Sequence, residues 1–204
     1  MMTEFAEQPR ALRADAARNR EKLLQTAIAA FTEEGVDVPL ESIAARAGVG
    51  VGTLYRHFPS RNALVQAIYR LEVQRLCESP AALLADNPPD VALQEWMNRF
   101  IQYAATKRGM SEALSSAVAS GLPLFANTRS QMLAALGTLI DAAIADGTIR
   151  PDADVEVVLR AMGGMWQMSD GPQWRDQARR LVALVMDGLR YGAPRPSSVR
   201  QSAQ

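Results

Sequence analysis

The sequence predicts an all-α protein, and three observations carry that prediction. Apolar residues recur at three- and four-residue spacing along almost the whole chain, the period of a helix with one buried face. No stretch shows the strict apolar–polar alternation of a half-buried strand. Helix-ending residues stand where the periodic runs stop, at Gly35, Gly48, Pro59, Gly109, Gly147 and Gly171-Pro172.

Residues 1–17 are polar and rich in Ala and Arg, and are expected to be a mobile arm leading into a helix. Leu24, Ala27, Ile28 and Phe31 mark the buried face of a first helix. Gly35 is its cap, because glycine takes a positive φ without a Cβ penalty. Ile43, Ala44 and Ala47 define a short second helix stopped at Gly48, and Thr53 to Phe58 a short third ended by Pro59. Ser60 caps a fourth, with apolar face Leu64, Ile68, Leu71 and Leu76. Pro80 and Asn87-Pro88-Pro89-Asp90 bound a linker-like stretch that holds Leu83-Leu84.

A fifth helix runs through Leu93, Trp96, Met97, Phe100, Ile101 and Ala104, and a shorter sixth through Leu114 and Val118. Met132, Leu133, Leu136, Leu139, Ile140 and Ile144 form a seventh, closed by Asp146-Gly147. Val155, Val158, Leu159, Met162, Met165 and Trp166 form an eighth, and Leu181, Val182, Val185 and Leu189 a ninth. Gly163-Gly164 inside the eighth costs about 1 kcal/mol per glycine against alanine, which implies a close helix approach or a local bend. Residues 193–204 are a Pro/Ser/Gln tail expected to be disordered.

Composition narrows the function. A chain of 204 residues that is 48% hydrophobic and 22% charged is ordinary globular usage, which excludes wholesale disorder. Twenty-two Lys+Arg against 22 Asp+Glu exclude a uniformly basic coat protein. The one cysteine, Cys77, leaves no intramolecular disulfide and is expected to be a small buried hydrophobe. With one histidine, His57, no four-ligand Cys/His zinc site can form, and a Ser-His-Asp triad would have to use His57 itself. No catalytic residue, metal or cofactor is therefore expected. The start carries acids where a secretory signal carries Lys or Arg, and no apolar run approaches the ~18–20 residues of a membrane span. A cytoplasmic protein is expected.

The short second and third helices, joined by a Gly-containing turn, are a helix-turn-helix candidate. Ile43 and Ala44 face the core, Ala47 is small where the next helix crosses, Gly48 makes the turn, and Val49 plugs the gap. Leu54 and Phe58, four apart, anchor the third helix, leaving Gly52, Thr53, Tyr55, Arg56 and His57 on its outer side and N-terminal end. Recognition helices present such residues to the major groove. Thr53 and Tyr55 can donate to phosphate oxygens, Arg56 can fork onto guanine or phosphate, and Arg61 lies within reach of the DNA backbone. His57 is expected either at the DNA backbone or as a packed imidazole, rather than as a catalytic base. Charge agrees: residues 41–70 carry Arg46, Arg56, Arg61 and Arg70 against Glu41, and residues 10–22 carry Arg10, Arg13, Arg18, Arg20 and Lys22 against Asp15 and Glu21.

The string from Ile43-Ala44-Ala45-Arg46-Ala47-Gly48-Val49 through Gly50-Val51-Gly52-Thr53-Leu54-Tyr55-Arg56-His57-Phe58-Pro59 to Ser60-Arg61-Asn62-Ala63-Leu64 resembles the DNA-binding domain of TetR-family transcriptional regulators. The resemblance covers about a quarter of the chain strongly, within residues 18–70. It implies DNA contacts at Val51, Gly52, Thr53, Tyr55, Arg56, His57 and Arg61. Two positions depart from the family pattern: Gly50 and Leu40 stand where many members have Ser and Thr, so side-chain caps are missing there. The resemblance also implies that residues 71–192 form a helical effector-binding and dimerisation domain.

In that half, Met97, Phe100, Met110, Leu114, Phe125, Met132, Met165 and Trp166 are candidates to line a cavity for an apolar or amphipathic effector. Each is also a plausible core residue, as is Trp174. Glu112, Asp141 and Asp170 are the acids available to pair with a cation on such a ligand. Val155, Leu159, Met162, Leu181, Val185 and Leu189 are candidates for a four-helix interface with a second copy, or else close the monomer core. The resulting expectation is a homodimeric, ligand-responsive repressor on a near-palindromic operator, with no membrane partner. The alternatives are a regulator controlled by a protein partner and, more remotely, a helical enzyme or lipid-handling protein.

Overall fold

A computed structural model describes residues 8–119, 125–168, 171 and 173–191, with side chains from Ala14 to Arg190. The described residues form ten α-helices and one 3₁₀ turn, and no strand. The helices are α1 (Gln8–Glu34), α2 (Leu40–Arg46), α3 (Val51–His57), α4 (Arg61–Glu78), α5 (Pro80–Asp86), α6 (Pro89–Gly109), α7 (Ser111–Ala119), α8 (Thr128–Ala145), α9 (Val155–Gly163) and α10 (Trp174–Tyr191). None of the described helices is long and apolar enough to cross a membrane.

Three local expectations need correction. Helix α1 begins at Gln8, so residues 8–17 of the expected arm are helical. Ala, Arg and Gln propagate a helix well, and extending a helix that is already nucleated requires no new buried face. Arg18 pairs with Asp15 one turn earlier. Residues 1–7 and the tail 193–204 lie outside the described residues. The linker-like stretch is itself helix α5. Pro80 stands at its first position, where no N–H is needed, Leu83 is buried, and the Asn87 amide donates to the Leu83 carbonyl at 3.0 Å. The eighth run splits: α9 ends at Gly163, and Gly164–Gln167 is the 3₁₀ turn. A Cβ at either glycine would meet nothing within 4 Å, so the pair marks a change of helix type and not a close approach within the chain.

Gly109 is the opposite case. A Cβ there would overlap the carbonyl oxygen of Phe31 and lie 3.0 Å from its carbonyl carbon. The end of α6 therefore rests on the backbone of α1.

The chain divides into two compact units, each discontinuous in sequence. The first holds the described residues up to Arg75 and from Gln102 to Ala126. Its core includes Leu23, Leu24, Ala27, Phe31, Ile43, Leu54, Phe58, Leu64 and Ile68, with α1, α2 and α3 packed on one another. The second holds Leu76 to Ile101 and the described residues from Asn127 on, with α9 packed against both α8 and α10. Trp96, Met97, Leu136, Leu139, Met162, Met165, Val182 and Met186 are buried in it. Polar ties close this core: the Trp96 indole N–H donates to Leu76 O at 3.0 Å, the Trp174 indole N–H to Met165 O at 3.1 Å, and Arg190 pairs with Asp90 at 2.6 Å.

Candidate nucleic-acid interface

The turn between α2 and α3 has a specific hydrogen-bond pattern. Gly48, at φ +68, donates its N–H to Ala45 O at 3.1 Å, and Val49 donates to Ala44 O at 3.0 Å. This pair of bonds around a left-handed residue satisfies carbonyls that the last turn of α2 would otherwise leave open. Val49 is half-buried. Neither short helix has a side-chain cap. Gly50 precedes α3 and Pro39 precedes α2, and Pro39 O accepts from the N–H of Ser42 at 3.1 Å and of Ile43 at 3.3 Å.

Leu54 and Phe58 are buried and fix the rotation of α3. That rotation leaves Val51 and Tyr55 exposed at 40% and 41%, with Gly52 and Arg56 also exposed and Thr53 and His57 half-buried. The Arg20 guanidinium of α1 stands 5.5 Å from the Phe58 ring centroid, which brings a cation to the C-terminal end of α3. The Arg10 and Arg13 side chains lie outside the described ones.

Arg61 is placed differently. Its guanidinium donates to the carbonyls of Val36 and Val38, the latter at 2.8 Å, and so clamps the α1–α2 connection to the start of α4. Arg46 is likewise held, by both oxygens of Glu34, and this raises the guanidinium and lowers the carboxyl from their ordinary values.

The residue that sequence reasoning missed is Glu41. Its carboxylate accepts the Tyr55 hydroxyl proton at 3.0 Å across the helix-turn-helix. Its own backbone N–H, then that hydroxyl, hold the Glu41 carboxyl below the ordinary carboxylate range, and the bond raises the Tyr55 hydroxyl above its usual value. The spacing of 14 residues gives no local signal; only the crossing of two helices creates the pair.

Of the candidate effector residues, Met110 and Leu114 are buried in the first unit and Met97, Phe100, Met132 and Met165 in the second. Trp166 is half-buried, and Phe125 is 40% exposed, edge-on to Tyr69 at 5.2 Å between centroids. The Lys107 ammonium stands 4.9 Å from the Phe125 ring centroid, and burial lowers its pKa. Glu112 and Asp141 are exposed, and Asp170 lies outside the described residues. No group of three or more possible metal ligands occurs among the described residues.

The candidate interface residues separate into two kinds. Leu159, Met162 and Leu189 are buried within the chain, whereas Val155, Leu181 and Val185 are half-buried. Two residues outside that set are the most exposed large apolar side chains described: Val157 at 63% and Leu184 at 69%. On α10, Leu181, Leu184, Val185 and Gly188 follow helical spacing and form a second apolar stripe beside the buried one.

Comparison with known proteins gives a consistent picture for both halves of the chain. Residues 23–68 match the family described as bacterial regulatory proteins, tetR family, and residues 88–191 match the SbtR-like transcriptional regulator C-terminal domain. The TetR transcriptional regulator SCO0520 from Streptomyces coelicolor is 49% identical with a TM-score of 0.78, over 85% of this chain and 99% of that one. A TetR regulatory protein from Mycobacterium vanbaalenii is 39% identical with a TM-score of 0.70, over 88% and 99%. The transcriptional repressor KstR2 of Rhodococcus jostii is 28% identical over 83% of this chain and 90% of its own length.

Proposed function

This chain belongs to the TetR family of bacterial transcriptional regulators, and from that premise we propose that it is a cytoplasmic, homodimeric repressor released from a near-palindromic operator by a small apolar or amphipathic ligand. The observation that carries the DNA-binding part is the outward face of α3. Val51, Gly52, Thr53, Tyr55, Arg56 and His57 supply it, held in place by buried Leu54 and Phe58. Arg61 serves the interface by fixing the α1–α2 connection.

Two copies would set two α3 helices into successive major grooves, about one helical turn apart. The exposed stripes of α9 and α10 around Val157 and Leu184, with half-buried Val155, Leu181 and Val185, support the dimer. The methionine-rich second unit supports an adaptable ligand site. Such a ligand acts only if it binds the DNA-incompetent state better than the competent one.

The test is a fluorescence titration against a duplex selected by the wild-type chain from a random pool. Tyr55→Ala and Arg56→Ala should each weaken binding about tenfold or more while leaving the melting temperature unchanged. Unchanged affinity in both variants would refute the assignment of this face.

A further inference from the structure

Glu41 is the one acid among residues 41–70, stands exposed in the first turn of α2, and holds the hydroxyl proton of Tyr55. A phenol has a single proton and donates it to one good acceptor at a time. A DNA phosphate oxygen that reaches Tyr55 must therefore take the proton from Glu41. Seated on the hydroxyl at about 2.7 Å, that oxygen would stand no more than about 6 Å from the carboxylate, inside the ~8 Å screening length of physiological salt. Arg61 is the cation whose charge acts on both groups, and its Nη1 is held by the Val36 and Val38 carbonyls.

We infer that Glu41 is an internal competitor for Tyr55. Its carboxylate occupies, in the free protein, the place of a DNA phosphate oxygen, and DNA engages Tyr55 by exchanging carboxylate for phosphate. Glu41 thereby restrains the affinity of the recognition face for DNA of any sequence, so that stable binding depends on the remaining contacts. This inference rests on the DNA-binding reading above and adds a positioning residue to it.

The experiment uses the full chain as wild type, Glu41→Gln, Glu41→Ala, Tyr55→Phe and Glu41→Gln/Tyr55→Phe. Each is titrated against a labelled mixed-sequence duplex and against the duplex selected by the wild type, with thermal melts confirming the fold. Glu41→Gln and Glu41→Ala should tighten binding to both duplexes roughly fivefold, the effect of removing one like charge near a phosphate in a solvated site. The gain should shrink when Tyr55 is already Phe, because no hydroxyl is left to exchange. In the ring-carbon NMR titration of labelled tyrosine, the Tyr55 signal should move to lower pH in Glu41→Gln. Unchanged or weaker binding in both Glu41 variants would overturn the inference, as would an equal gain with and without the Tyr55 hydroxyl. A wild-type chain that binds neither duplex would instead overturn the DNA-binding reading itself.

Discussion

Cys77 shows how a single environment sets the chemistry of a side chain. It is half-buried near the end of α4, and desolvation, with the charge of Glu78 behind it, pushes the thiol up to about 11. The thiolate is the reactive form, and the reference thiol titrates at 9.0. Alkylation of the native chain by iodoacetamide at pH 8 should therefore be roughly a hundredfold slower than in denaturant. Because the folded thiol has the higher pKa, the fold favours the neutral form. That contribution to stability is complete below the unfolded pKa and is lost as pH rises toward 11. A native rate equal to the denatured one would show that the thiol is not shielded. Arg61 and Arg56 make the complementary point about charge: one guanidinium clamps two backbone carbonyls, while the other stands exposed on α3.

At the level of elements, the meeting of α6 with α1 turns on one missing methyl. Placing alanine at an open helical glycine stabilises by up to about 1 kcal/mol. At Gly109 the new Cβ would overlap a backbone oxygen of α1, which cannot swing aside as a side chain can. Overpacking of this kind costs about 1–3 kcal/mol, so the clash outweighs the gain in propensity. Gly109→Ala should lower the melting temperature by several degrees, and calorimetry checks it. A raised melting temperature would mean that α6 yields freely. The α2–α3 turn is built on the same logic in reverse, since Gly48 needs its left-handed φ and not the space around it.

For the whole molecule, formal neutrality hides a local imbalance. Residues 10–22 and 41–70 are each basic, while the acids Glu33, Glu34, Asp37, Glu72 and Glu78 lie elsewhere in the first eighty residues. Glu34 neutralises Arg46 directly, and Glu41 caps Tyr55, so the recognition face is less cationic than its sequence suggests. Leu184 is 69% exposed on α10, and in the proposed dimer a second copy would bury it. Leu184→Asp should raise the dimer dissociation constant about thirtyfold or more in sedimentation experiments. The thermal stability of the monomer should stay the same, because the side chain makes little contact within its own chain. A dimer unaffected by that change would remove the α10 stripe from the interface.

The helical class, the turn at Gly48 and the outward face of α3 are legible in the amino-acid sequence. These are local matters: a period of 3.6, a glycine that alone tolerates a positive φ, and two anchors four residues apart. The helix α5 and the first turns of α1 escaped the same reasoning, because flanking prolines masked one and the absence of an apolar period masked the other. Tertiary structure alone decided the pairings: Arg61 with the Val36 and Val38 carbonyls, Glu41 with Tyr55, Gly109 with Phe31. It also assigned Leu159, Met162 and Leu189 to the core of their own chain while leaving Val157 and Leu184 outside it. A helix such as α10 has apolar residues on two faces, and periodicity names both without ranking them. Only the neighbour packed against one face fixes which is buried and which is left for a partner.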